Sequence, residues 1–449
     1  RQMCIRDSVY VDKNKNGVFD QSEKPLAGIK VSDGLNVVET AADGSFTLPG
    51  HERERFIFIT TPSGYKTFNR HYHKIEKKQS GYDFGLIPYS GRIRKDGSHR
   101  YIHITDTEIF NTENHADWVN NVHDYARNEQ AAFIIHTGDL CYEKGLKAHI
   151  KLMNTENMDC PVFYCIGNHD LVKGKYGEEL FESIYGPVYY SFDAGNVHYV
   201  VTPMPGGDHA PGYTSDDVCR WLKNDLAHIR PGTPVVVFNH DLLTYEDTFI
   251  FKSKNAGSIN LNEYNLKAWV YGHWHINYMK KQGDVYSVCT SSLDKGGIDH
   301  STTAFRVMHV DSKGDFTSEL RYTYLDKNIC IASPAGVMAS GVLPVAVNVY
   351  SSVSPVREVL YTCLADGKPV LKNKRLLQST DWSWNGELPL SHKYVGKELT
   401  LRVTARFNNG EIAEAESNFI CRTEKTVPLF SADWDNLSGN AKHLSLIHI

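Results

Sequence analysis

Cys160-Pro-Val-Phe-Tyr-Cys-Ile-Gly-Asn-His-Asp170 is the stretch on which the reading of this chain turns. Residues 162–166 form an apolar run rich in β-branched and aromatic types, which predicts a buried strand. Gly167 stops the run, and Asn168, His169 and Asp170 follow at once. Such a strand places an amide, an imidazole and a carboxylate at its carboxyl edge, where open α/β sheets bind ligands. In isolation a stop of this kind is usually a polar loop. It gains meaning when other strands end the same way.

Four others do. The apolar run at 101–105 ends in Asp106-Thr-Glu108, and the run at 131–135 ends in His136-Thr-Gly-Asp139-Leu-Cys-Tyr142. The run at 234–238 ends in Asn239-His240, and that at 267–271 ends in Gly272-His273-Trp-His275. Between them the spacing predicts a helix over 117–128 with Trp118, Val122, Tyr125 and Ala126 on one face. It also predicts a strand at 197–201 and a helix capped by Thr214 with Asp217. Alternating strands and helices imply an α/β domain over residues 97–327. Asp106, Glu108, Asp139, Asn168, His240, His273 and His275 make seven candidate ligands, more than one four-coordinate catalytic ion uses, and a carboxylate can bridge two ions. A set of oxygen and nitrogen donors without thiolate suits divalent Mn, Fe, Zn or Mg-type ions. His103 and His198 within strands, and His136 at the end of one, read as core or supporting groups. The glycine-rich segment 205–212, with Asp208, could line a substrate pocket.

The order Asp-x-Glu, Gly-Asp-x-x-Tyr, Gly-Asn-His-Asp, His, Gly-His-x-His resembles the signature of calcineurin-like metallophosphoesterases. That resemblance implies an α/β, four-layer αββα metallophosphoesterase sandwich and a two-metal hydrolase of phosphate esters. By position, Asp106 and His275 would bind a first metal, Asp139 would bridge, and Asn168, His240 and His273 would bind a second. His169 would be the general acid, oriented by Asp170. Physical chemistry agrees: a metal-bound hydroxide is a nucleophile at neutral pH, and two cations offset charge on phosphoryl oxygens. An imidazole near the leaving oxygen can donate its proton. The common pattern has His where this chain has Glu108, and Tyr142 stands where purple acid phosphatases carry a tyrosine ligand. Either Glu108 is a first-metal ligand, or it supports the site and Tyr142 contributes.

All-β segments flank this domain. Before it, residues 9–88 read as a β-sandwich, and Asp12, Asn14, Asn16, Gly17, Val18, Asp20 and Glu23 fill every position of a twelve-residue calcium loop. Val18 would offer its carbonyl and Glu23 would chelate with both oxygens. Residues 9–11 and 28–34 read as strands, so the loop is flanked by strands and not by EF-hand helices. The segment Ala27-Gly-Ile-Lys-Val-Ser-Asp-Gly34 resembles the N-terminal domain attached to some bacterial calcineurin-like phosphoesterases. After the central domain, 334–341 reads as a linker and 335–435 as a second β-sandwich, with a hairpin turn at Asn408-Asn-Gly410. That segment resembles the C-terminal domain of the same phosphoesterases. Trp382 and Trp384 would share a face within it.

Length and charge set the frame. At 449 residues the prior is about three domains. A net charge of −5 leaves no basic excess for phosphate backbones, so nucleic acid is not the expected partner. No run is long and apolar enough for a membrane helix. Residues 1–8 and 444–449 resemble adapter-derived tails, which would leave the native N-terminus and any signal peptide missing. Eight of the nine cysteines lie outside those tails, without a C-x-x-C pair, and could be buried thiols or a few disulfides. The expectation is a secreted or periplasmic enzyme acting on small phosphate esters, a monoesterase ahead of a diesterase. The rivals are a calcium-dependent surface binding protein without turnover and a nucleotide-sugar hydrolase.

Overall fold

The computed structural model describes residues 7–76, 81–325 and 327–423. Residues 1–6, the 444–449 tail and positions 424–435 of the expected last domain lie outside them. Two compact units are present, one of residues up to 325 with 352–354, the other of the remainder. Among the described residues no helix is long and apolar enough to cross a membrane.

Two sheets form the centre of the first unit. One has strands Val162–Tyr164, Phe133–His136, His99–Ile104, Ala304–Val310 and Phe316–Tyr322 in that spatial order. The other has Tyr190–Ala194, Val197–Val201, Val235–Phe238, Leu266–Tyr271, Val285–Cys289 and Tyr278–Gln282. The first three strands of the first sheet run parallel, as do Val197–Val201, Val235–Phe238, Leu266–Tyr271 and Val285–Cys289 in the second. All the motif-bearing ends therefore emerge at carboxyl edges. The inner faces meet through aromatic contacts, such as Tyr101 edge-on to Tyr199 and Phe238. Helices α1 (Ala116–Glu129) and α2 (Tyr142–Leu152) pack on the outer face of the first sheet, where Trp118, Val122 and Ala148 meet Ile102 and Ile134. Helix α3 (Glu179–Tyr185) lies beside α2, its Tyr185 hydroxyl donating to the Leu146 carbonyl at 2.7 Å. Helix α4 (Ser215–Ala227) covers the second sheet with Trp221, Leu222 and Leu226. The result is the four-layer αββα sandwich. The Thr214–Asp217 capping box forms as expected, with both reciprocal hydrogen bonds.

The N-terminal segment is a pair of small sheets, and its strand Asp7–Val11 includes Asp7 and Ser8. Ser8 donates its N–H to Asp83, and Asp7 and Ser8 pair with Phe46 and Ser45. Those two residues therefore belong to the fold, correcting their assignment to a tail. Val9, Val31, Ile57 and Phe84 fill a core between the sheets. On strand Phe56–Ile59 the side chains alternate, and Phe56 and Phe58 face the other way, joining the core of the αββα sandwich. This module is thus continuous with the central domain in one compact unit.

Arg55 fastens the two. Its Nη2 lies 2.7 Å from Glu178 and 2.8 Å from Glu182, both buried. Burial pushes the Glu182 carboxyl up to about 7, against the pull of Arg55. Arg55→Ala leaves two buried carboxylates without their cation, and the expected loss of unfolding free energy is about 3 kcal/mol. A carboxyl whose folded pKa is raised costs stability only when ionised, so stability falls as pH rises from the ordinary carboxylate range through about 7. Denaturant unfolding should show a larger Arg55→Ala deficit at pH 8 than near pH 5. An equal deficit at both pH values would remove this ion pair from the account.

The second unit is a β-sandwich of a four-stranded and a five-stranded sheet. Val347, Val359, Leu401 and Trp384 lie in its core, while Trp382 stays half-buried. The expected linker at 334–341 is instead structured: Gly336–Ala339 is an edge strand pairing in parallel with Ile412–Arg422. Proline and glycine there mark a strand boundary and an edge position, where both are tolerated.

Candidate metal and catalytic site

The five strand ends converge. Asp106, Asp139 and His240 are buried, and His273, His275, Asn168 and Glu108 are half-buried. Close approach of the loops depends on two glycines. A Cβ on Gly167 would collide with the Asp139 carboxylate, and one on Gly272 would collide with Thr105 Oγ1 and lie 2.6 Å from Asp106 Oδ2. Asp106, Glu108, Asp139, Cys141, Tyr142, His273 and His275 all take positive φ, between 44° and 67°. Each such residue costs on the order of 1–3 kcal/mol, and clusters of this kind mark functional sites.

The ligand atoms are held from behind. Asp106 Oδ2 accepts from Thr105 Oγ1 at 2.6 Å and from the His273 N–H at 3.0 Å. Its Oδ1 is buried without a hydrogen-bond partner, 3.2 Å from His275 Nε2 and 3.9 Å from His240 Nε2. His240 Nδ1 lies 2.6 Å from the Thr137 carbonyl, which can only accept. A neutral His240 therefore turns the lone pair of Nε2 inward, the tautomer a metal ligand needs. That Nε2 lies 3.1 Å from Asp139 Oδ2, out of line for a hydrogen bond. Burial lowers the proton affinity of His240, but Asp139 beside it outweighs this and raises its pKa to about 10, so a bound cation would have to displace that proton to take the Nε2 lone pair. Asn168 Oδ1 is a third buried polar atom without a partner at the site. Asp139, His240 and His273 place ligand atoms within 4.8 Å of one another, as do Glu108, Asp139 and Cys141. Asp139 is common to both groups. Burial pushes the Cys141 thiol up, keeping it protonated.

Glu108 is engaged on its other side by Lys295, whose Nζ reaches both Glu108 Oε2 and the Glu108 carbonyl. Glu108 Oε1 is 3.5 Å from His275 Nε2. Tyr142 opens α2 and is exposed; its ring stands 5.3 Å from that of His169 and is stacked on Phe110. His103, His136 and His198 are buried supports, as expected. His103, for example, lies between the hydroxyls of Thr137 and Thr290, each at 2.8 Å.

One expected role is corrected. Asp170 does not orient His169. Its buried carboxylate accepts the N–H groups of Gly167, Asp139 and Cys141, each at 2.9 Å. The partner of His169 is Asp208, with Oδ2 at 2.8 Å from Nδ1. Burial opposes protonation of His169, but the Asp208 hydrogen bond raises its pKa overall. Asp208 sits on the glycine-rich loop, held by its N–H to the Asn168 carbonyl at 3.1 Å. Lys295 and Asp208 carry no motif spacing. The glycine run around Asp208 was the only signal for either.

The calcium-type loop is ordered by its own side chains. Asp12 accepts from the N–H groups of Asn16 and Gly17, and Asp20 Oδ2 accepts from the amides of Asn14 and Asn16. Glu23 accepts from the N–H groups of Lys13 and Asp20. Its flanks are strands, and Val18 is exposed. Asp12, Asp20 and Glu23 are not among the described groups of three that converge within 4.8 Å.

Comparisons of the sequence with protein families bear on the same two segments. Residues 99–277 match the family model described as calcineurin-like phosphoesterase, and residues 13–88 match the N terminal of calcineurin-like phosphoesterase. Purple acid phosphatase 13 of Arabidopsis thaliana is 26% identical over 215 residues, covering 45% of this chain. The matched part is 36% of that relative, so the chain spans about a third of its length. Among solved structures, purple acid phosphatase PPD1 from yellow lupin (Lupinus luteus) seeds aligns with 90% of this chain and 73% of its own, at 13% identity and TM-score 0.30. Vps29 complexed with zinc from Entamoeba histolytica aligns with 50% of this chain and 99% of its own, at 10% identity and TM-score 0.26.

Proposed function

The chain belongs to the calcineurin-like phosphoesterase family, whose members hydrolyse phosphoric esters with metal ions, and from that premise we propose a two-metal phosphatase acting on small phosphate monoesters. The observation that carries the two-metal reading is the set of buried polar atoms without partners, Asp106 Oδ1, Asn168 Oδ1 and His240 Nε2, around a shared Asp139. Buried polar groups are otherwise almost always satisfied, so three at one site call for a cation. The donors fit divalent Mn, Fe, Zn or Mg-type ions. Asp106 and His275, with Glu108 or Tyr142, would hold one ion. Asn168, His240 and His273 would hold the other, and Asp139 would serve both. Bound ions would supply Lewis acidity toward the phosphoryl oxygens and the attacking water. His169, steadied by Asp208, would hand a proton to the leaving oxygen. The preference for monoesters over diesters or sugar nucleotides rests on family analogy. The same proposal places calcium in the Asp12–Glu23 loop, whose donors are all hard oxygens, and places the protein in the periplasm or outside the cell.

Elemental analysis of the purified protein, paired with turnover of a panel of phosphate esters, tests this. The expected result is two ions of the Mn, Fe, Zn or Mg type and one calcium per chain, and monoester hydrolysis that a chelator abolishes and divalent metal restores. A metal-loaded protein that turned over no phosphate ester would sink the reading.

A further inference from the structure

We propose that Phe110 and Tyr142 form a subsite for a planar aromatic group on the alcohol side of the phosphate ester. The preferred substrates are then esters of phenol-like or nucleoside alcohols. This inference deepens the phosphoesterase reading and rests on it.

Both residues are large and exposed, Phe110 at 55% and Tyr142 at 45%. Their rings lie near parallel, with centroids 6.5 Å apart and 15° between planes. A single exposed aromatic is ordinary, but a paired apolar surface beside polar chemistry marks a binding site. Its position says which part of a substrate it meets. His169 is the group placed to protonate the leaving oxygen, so whatever that oxygen carries lies within a ring's reach of His169. The Tyr142 ring is there, 5.3 Å from the imidazole at 44°.

Backbone strain is a second, independent sign. Cys141 and Tyr142 take φ of 67° and 56°, a left-handed conformation that a bulky aromatic rarely adopts. The turn is held by Asp170, which accepts the Cys141 N–H. The element that supports the Asp139 loop therefore also fixes the tyrosine at the mouth of the site. Flat rings stack on such a surface, whereas a flexible alkyl alcohol gains little from it.

Phe110 has no metal-ligating atom, so its substitution removes no candidate ligand, and a ratio between substrates cancels any effect on turnover that they share through Tyr142. The test compares kcat/KM for phenyl phosphate, a nucleoside 5′-monophosphate and glycerol phosphate in wild type, Phe110→Leu and Phe110→Ala. The expected result is a fall of about tenfold in the ratio of ring substrate to glycerol phosphate in Phe110→Ala. A fall for only one ring substrate supports the subsite and names its source. An unchanged ratio overturns it. Should no ester be turned over, the phosphoesterase reading fails, and calorimetry with phenylphosphonate and methylphosphonate decides the subsite separately. A ring preference that Phe110→Ala removes keeps it, and the absence of any preference overturns it.

Discussion

Asp139→Asn should lower phosphomonoester turnover by about 10³-fold or more and release bound metal, with the fold intact. No other side chain has as many duties at the site. Asp139 belongs to both groups of converging ligand atoms, its Oδ2 lies 3.1 Å from His240, and its Oδ1 accepts the His169 N–H at 3.0 Å. Asparagine keeps the shape and still accepts that N–H, so the loop should stay in place. What goes is the charge. Burial alone would raise the Asp139 pKa, but His240 and the N–H of His169 hold it below the usual carboxylate range, so the wild-type group is an anion. A neutral amide in its place can serve one cation weakly and two cations poorly. Steady-state kinetics with elemental analysis reads both effects. Wild-type turnover in a folded Asp139→Asn variant would show that the convergence around Asp139 is not the reacting centre.

The parts of this site that were legible in the sequence are those written locally. An apolar run, a stop and a polar triplet occupy a few consecutive residues, and parallel pairing within each sheet carries every such stop to that sheet's carboxyl edge. Asp106, Asp139, Asn168, His240, His273 and His275 could therefore be picked out one strand at a time. Asp208 and Lys295 arrive from loops whose course depends on the whole fold, and no spacing ties them to the motifs. The second face of Phe56–Ile59 was hidden for the same reason. A short continuous apolar run announces a strand buried on both faces without saying that one of them covers the central domain.

His169 and Asp170 show how adjacency misleads. Asn168–Asp170 is a single turn of 3₁₀ helix, in which successive side chains point about 120° apart. His169 accordingly turns outward to the half-exposed mouth, and Asp170 turns inward beneath the Asp139 loop. The same geometry explains why a carboxylate must stand there. It collects three N–H groups from two loops, and no neutral side chain accepts three at once without presenting a donor to one of them. Asp170 is thus a brace for the ligand loops.

That division of labour gives the second large effect. His169→Ala should lower kcat for an alkyl phosphate by about 10²–10⁴-fold, the range removed with a general acid. An alkoxide leaves poorly without a proton, whereas a nitrophenolate needs little help. The same variant should therefore lose far less on nitrophenyl phosphate, and that contrast separates proton donation from a merely structural role. Asp208→Asn keeps the contact to Nδ1 but removes the anion, so it should repeat the pattern in reduced form, with about a tenfold loss on the alkyl ester and less on the nitrophenyl ester. Asp170→Asn should behave differently. It leaves at least one buried N–H without an acceptor, so stability should fall by about 1–3 kcal/mol and metal retention with it, while the two esters lose turnover in equal proportion. If His169→Ala slowed both esters equally, the imidazole would not be delivering the proton. If Asp170→Asn reproduced the leaving-group dependence while Asp208→Asn did not, the orienting role would return to Asp170.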